Sequence, residues 1–216
     1  MTPVTPTSAR HDVAATADDA AAIDQRAQDV ARTLRAMVEA SDARSVLVVG
    51  VDRGIQGLAA RLANVEARAG RSTILVDADL RGPKDLDPSS GGVPSGGLAA
   101  WLLDEPSGER HAPSVETTDV PNLLVVRRGD RAALAADALD GPRLDDLLPL
   151  LLGQADRVIV AGSPLSLNAD ALPFARRVDQ VLLGVSPGIT RRQAAVSARD
   201  ALRAAGGRIA GVVLDL

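Results

Sequence analysis

Six short apolar runs, each rich in β-branched residues and separated by helix-patterned or turn-forming sequence, leave this chain few folds to choose from. They are Val46 to Val49, Thr73 to Val76, Leu123 to Val126, Val158 to Val160, Val181 to Val185 and Ile209 to Leu214. A strand with one face in water alternates apolar and polar residues, whereas an uninterrupted run implies cover on both faces, as in parallel strands between two helical layers. The intervening segments carry helical spacing. Leu58, Leu62 and Val65 share one face and Gly70 ends that stretch, while Thr190 with Gln193 three places on reads as a capping box opening a later helix. Right-handed crossovers then predict an α/β fold: a three-layer, doubly wound and mainly parallel sheet. At 216 residues the chain is expected to form one such domain over residues 19–216.

Residues 1–18 are polar and Pro-containing and read as a disordered tail ahead of an amphipathic helix over 19–41. Ile23, Val30, Leu34, Met37 and Val38 mark its apolar face, with Arg26, Asp29, Arg32, Arg35 and Glu39 around the remainder. Such a helix packs on its own domain, or on another subunit as well. The stretch from Arg81 to Gly97 is rich in Pro and Gly and reads as a long mobile loop. The only aromatic residues are Trp101 and Phe174, so the core is aliphatic, and the absence of cysteine excludes disulfides, a thiolate nucleophile and a zinc cluster. Net charge is −4 with both signs interspersed, and the Arg191-Arg192 pair is too small to make a basic footprint, so no nucleic-acid partner is expected. Leu144 to Leu152 is interrupted by Asp145, Asp146 and Pro149, well short of the roughly 18 apolar residues of a membrane span. Met1 to Arg10 has no apolar signal region, and a cytoplasmic location is expected.

The first strand runs into Gly50-Val51-Asp52-Arg53-Gly54-Ile55-Gln56-Gly57 and then a helix, the place of a phosphate-binding loop. A working loop reads G-x-x-x-x-G-K-[S/T], its lysine meeting the β/γ-phosphates and its hydroxyl holding Mg²⁺. Here Ile55 and Gln56 follow Gly54. The amides of the turn and the helix N-terminus still offer some attraction to an anion. Asp52 opposes it: like charges about 4 Å apart repel by about 4 kcal/mol at an effective dielectric of about 20. Arg53 is a cation, but its planar fork is not a lysine point charge.

Asp77 and Asp79 stand at the carboxyl end of the second run, on the edge where doubly wound sheets bind ligands. Two apart on a strand, they share a face, and such a pair holds hydrated Mg²⁺ or activates a hydroxyl; the structural alternative is that they cap loop amides and pair with Arg81. Another run ends Val158-Ile159-Val160-Ala161-Gly162-Ser163-Pro164, with Ala161 where a metal-supporting acid would stand. Ser163 and Ser166 have no His or Lys nearby to activate them, and His11 and His111 fall in a tail and a loop.

From about Gln28 to Leu216 these segments resemble, in the same order, the cytoplasmic domain of bacterial tyrosine kinases (BY-kinases) of capsule and exopolysaccharide synthesis, within the ParA/MinD-like P-loop class. Asp29-Val30-Ala31-Arg32-Thr33-Leu34-Arg35 is similar to that family's helical E-A-[YF]-R-x-L-R. Val51 to Gly57 takes the place of P-G-E-G-K-S-T, keeping Gly54. Asp77, Asp79, Arg81 and Pro83 match D-x-D-x-R-x-P in full, and Val158 to Pro164 resembles V-I-I-D-T-P-P with Ala161 for its acid. Gly97 to Leu102, Asp119 to Leu123, Asp170-Ala171, Thr190 to Arg192 and Gly211 to Leu214 continue the likeness.

The resemblance implies a P-loop NTPase-like domain whose vestigial nucleotide loop comprises Gly50, Asp52, Arg53, Gly54, Ile55, Gln56 and Gly57, with Asp77, Asp79 and Arg81 beside it. With the lysine, the hydroxyl and the second acid replaced, and no tyrosine in the sequence for the family's C-terminal cluster, it implies a pseudokinase-like regulatory or scaffold protein without catalytic residues. No cofactor or metal is then expected; ATP and Mg²⁺, on Asp77 and Asp79, belong to the alternative in which the loop still binds. The implied partners are a membrane chain-length modulator or an active BY-kinase paralogue, with homo-oligomerisation through the N-terminal helix and recruitment to the inner face of the plasma membrane by the partner. Two alternatives stand beside this reading: an ATP-dependent kinase or ATPase in which Arg53 replaces the lysine, and a ParA/MinD-like positioning protein.

Overall fold

The computed structural model describes residues 17–52, 56–82, 96–104 and 111–214, without the side chains of 17–24, 26–27 and 56. All six apolar runs are strands: β1 (Ser45–Gly50), β2 (Thr73–Ala78), β4 (Leu123–Val126), β5 (Arg157–Gly162), β6 (Gln180–Val185) and β7 (Ile209–Leu214). They pair in parallel, and the two-residue β3 (Glu116–Thr117) adds an antiparallel edge that the sequence reading did not anticipate. The order across the sheet is β3-β4-β2-β5-β1-β6-β7. β1, β2 and β5 are buried at every residue, which is why their sequences run apolar without alternation.

Successive residues of a strand point to opposite faces, so β1 sends Val46 and Val48 one way and Leu47 and Val49 the other. The first pair joins a core layer with Leu34 and Val38 of α1 (Ala17–Ala40) and Leu58, Ala59, Leu62 and Ala63 of α2 (Gln56–Arg68). The second joins residues of α3 (Gly97–Leu103), α4 (Ala132–Ala135), α5 (Leu144–Leu152), α6 (Leu172–Ala175) and α7 (Arg192–Ala204). The three layers are thus α1 and α2, the sheet, and the remaining helices.

α1 starts two residues before the expected 19, inside the segment read as a tail, and ends at Ala40. Residues 1–16 of that segment, and 83–95 of the loop read as mobile, lie outside the described residues. The expected capping box of α7 does not form. Arg191 is the N-cap residue with no side-chain cap bond, and the Thr190 hydroxyl instead accepts the Ser186 N–H at 2.9 Å. A local turn back to Ser186 competes for the hydroxyl and wins, since Thr190 N–H also donates to Ser186 O at 2.8 Å.

Candidate functional site

The lateral order β2-β5-β1 decides what stands at the carboxyl edge of the sheet. Ala161 of β5 is the register partner of Asp77 on β2 and of Val48 on β1. Directly paired residues in a parallel ladder project from the same face, so an acid at 161 would stand beside the Asp77 carboxylate. A methyl group occupies that position, 1% exposed. Nor is there room one residue later: a Cβ on Gly162 would lie 3.0 Å from both the Ala171 Cβ and the Leu47 Cδ1.

The turn leaving β1 is held by backbone bonds on two sides. Val51 N–H donates to Gly184 O at 3.0 Å, while Leu165 and Ser166 N–H donate to Gly50 O and Val51 O at 3.0 and 2.8 Å. The Ser166 hydroxyl donates to Asp52 O at 3.2 Å. Asp52 keeps one carboxylate oxygen, Oδ2, buried without a hydrogen-bond donor among the described residues. Arg53, Gly54 and Ile55 lie outside the described residues, and Gln56 opens α2 with its side chain outside them. Gly57 is exposed, and a Cβ there would meet open space.

Asp77 and Asp79 are 1% and 3% exposed. Asp77 Oδ1 accepts the Asp79 N–H at 3.2 Å, the loop-amide cap foreseen from the sequence. β2 ends at Ala78, and the chain then turns, Gly82 N–H donating to Asp79 O at 3.1 Å. The Asp79 carboxylate lies directly over Gly82, where a Cβ would collide with Oδ2. Arg128 secures the turn by donating to Gly82 O at 2.6 Å and Asp79 O at 3.4 Å.

The expected pairing of these acids with Arg81 is not made. Arg81 donates to Asp170 from Nε and to Asp137 from Nη2, each at 2.8 Å. Its hydrogen bonds to Asp137, then to Asp170, hold the Arg81 guanidinium above its ordinary pKa. The turn at Gly82 carries the arginine away from its sequence neighbours, which proximity along the chain could not reveal. Asp170 had a signal in the sequence as part of the Asp170-Ala171 match; Asp137 and Arg128 had none. Pro83 lies outside the described residues.

Ser163 is fully buried and donates to Asn168 Oδ1 at 2.6 Å. His111 offers its carbonyl to Trp101 Nε1 at 2.6 Å, and His11 lies outside the described residues. Among the described residues no group of three or more His, Cys, Asp or Glu side chains is placed to hold a metal ion.

No family model matches the chain. It is 27% identical over 190 residues to the tyrosine-protein kinase YwqD of Bacillus subtilis, covering 85% of this chain and 78% of the relative. It is 25% identical over 163 residues to the putative tyrosine-protein kinase CapB of Staphylococcus aureus, covering 73% and 68%. The crystal structure of the VpsO kinase domain superposes with a TM-score of 0.77 at 22% identity, over 93% of this chain and 98% of that one. The homologues of this chain are bacterial tyrosine kinases, and its fold is theirs.

Proposed function

From this kinship with bacterial tyrosine kinases we propose that the chain is a non-catalytic, kinase-like regulatory or scaffold protein of bacterial surface-polysaccharide assembly. The observation that carries the reading is Ala161, a buried methyl in register between Val48 and Asp77 where the related motif places its second acid. Ile55, Gln56 and Gly57 replace the lysine and hydroxyl residues of the phosphate loop. Phosphoryl transfer depends almost wholly on positioning and on electrostatic stabilisation by these parts, so their joint replacement removes the chemistry and leaves the scaffold. Gly50, Asp52, Arg53 and Gly54 then form a vestigial loop. Asp77 caps the Asp79 N–H at the end of β2, and Arg81 fastens the following turn to Asp137 and Asp170.

The work left to such a protein is contact. Its partner is a membrane chain-length modulator or an active paralogue, met at the inner face of the plasma membrane. α1 offers a second copy of the chain its exposed Asp29–Arg32 pair, because Arg35 is already bound to Glu39 of the same chain.

Incubation with Mg-ATP and a tyrosine-containing acceptor tests the non-catalytic reading, and no phosphate release or transfer is expected. Turnover that disappears on Arg53→Ala would establish the enzyme alternative instead. Gene neighbourhood tests the polysaccharide assignment: adjacent glycosyltransferases, a flippase or a chain-length modulator support it, and a neighbourhood without them contradicts it.

A further inference from the structure

α7 collects positive charge that the linear sequence disperses. Residues 191–208 contain five arginines against one acid, Asp200, in a chain of net charge −4. At about 100° per residue, Arg192, Val196, Arg199 and Arg203 fall on a single stripe of the helix. The other side of α7 sends Ala198 and Leu202 into the core. The stripe faces solvent: Arg192 and Arg203 are exposed, Arg199 is 42% exposed and Val196 38%.

Beside it the edge strand shows an aliphatic pair. Leu183 belongs to the core layer beneath α7 and is the register partner of Val212, and Val185 pairs with Leu214. Val212 and Leu214 therefore project on the α7 side of the sheet, yet they are 60% and 56% exposed because α7 leaves this end of the edge strand uncovered.

We propose that this face of the protein, α7 with β7, lies directly on an anionic phospholipid bilayer. Its charge is opposite to that of the rest of the chain and complementary to lipid phosphates, which guanidinium groups bind bidentately. The aliphatic residues select a bilayer over an acidic protein segment: α7 turns its own apolar side to the core, so Val212 and Leu214 of β7 supply the side chains that enter the headgroup boundary, the part played by the apolar face of an interfacial helix. The Arg199–Asp200 pair, 2.7 Å and exposed on both sides, is weak enough for a phosphate to displace the acid. This contact uses none of the residues of the nucleotide-loop edge and does not depend on the function proposed above.

Co-sedimentation of the full chain with vesicles tests it, comparing phosphatidylcholine alone with phosphatidylcholine containing phosphatidylglycerol, at low and high salt. Binding to the phosphatidylglycerol vesicles, weakened by salt, is expected, with little binding to phosphatidylcholine alone. The variant Arg192→Gln/Arg199→Gln/Arg203→Gln should lower partitioning by about a hundredfold. Val212→Ser/Leu214→Ser should lower it by about tenfold. Circular dichroism checks that each variant is folded, and if one is not, the lipid and salt dependence of the unmutated chain decides alone. Equal binding to both vesicles, or none to either, overturns the proposal. So does polyglutamate binding that matches vesicle binding and ignores the Val212 and Leu214 substitutions, because the face would then receive an acidic protein segment.

Discussion

The two ends of the central sheet use charge in opposite ways. At the amino edge, Glu66 of α2 is fully buried among Arg157 at 3.4 Å, Arg71 at 3.5 Å and Arg35 at 3.9 Å, and Glu39 of α1 clasps Arg35 and Arg71 at 2.9 and 2.8 Å. These side chains tie α1, α2, β5 and the entry to β2 into one unit. Close by, Asp179 Oδ2 accepts the backbone N–H groups of Arg44 and Ser45 and the Ser45 hydroxyl, at 2.9, 2.8 and 2.9 Å. At the carboxyl edge, where nucleotide chemistry would occur, the central position is the Ala161 methyl, and Asp77 beside it accepts the Asp79 N–H. The contrast is that the charged side chains of the amino edge join scaffold elements to one another, as the proposed non-catalytic function requires.

The most disruptive challenge to this contrast is Glu66→Ala. It strands Arg157, whose side chain is 4% exposed, and should cost about 3–5 kcal/mol in urea denaturation. A loss below about 1 kcal/mol would show that the cluster does not hold the layers together. Ala161→Asp probes the other end. It places a second buried carboxylate beside Asp77 and should destabilise by about 3 kcal/mol, with no recovery on adding Mg²⁺. Recovery with Mg²⁺ would show that the edge is competent to bind metal and would erase the contrast.

Asp179→Ala removes three hydrogen bonds and should cost about 2 kcal/mol at neutral pH. Burial opposes ionisation of Asp179, but the bonds from Ser45 and Arg44 outweigh it and set its pKa below the ordinary 3.8. Its stabilisation is therefore complete above that value and fades as pH falls through the folded pKa, so melting curves of Asp179→Ala and the unmutated chain should converge in acid. Glu66 has the opposite sign. Burial raises its pKa above 4.5 despite the attraction of Arg157, and the folded chain takes up its proton first. The unmutated chain should accordingly gain on Glu66→Gln as pH falls from the raised value towards 4.5, and gain nothing further below it. Equal slopes for the two variants would contradict this assignment.

Most of the sheet was legible in the sequence because burial on both faces writes itself as uninterrupted Val, Ile and Leu. β3 was not, since two residues held by pairing with β4 carry no periodicity of their own. The Thr190 capping signal misled because the Ser186 N–H takes its hydroxyl and Arg191 becomes the N-cap residue. Side-chain partners distant in sequence were hidden for a different reason: Arg81 meets Asp137 and Asp170 only once β2 and β5 are neighbours. The arginines of α7 were hidden by spacing, since a scan for basic runs sees only Arg191-Arg192 whereas the helix aligns residues four, three and four apart. At the candidate site the replaced loop residues and Ala161 could be read directly, but that Ala161 stands between Val48 and Asp77 required the strand order.

Calorimetric titration of the full chain with Mg-ATP measures the central claim most directly. A non-catalytic chain gives no saturable heat at micromolar nucleotide and no turnover in the cell, with any affinity millimolar or weaker. A micromolar dissociation constant accompanied by steady ATP hydrolysis would contradict it.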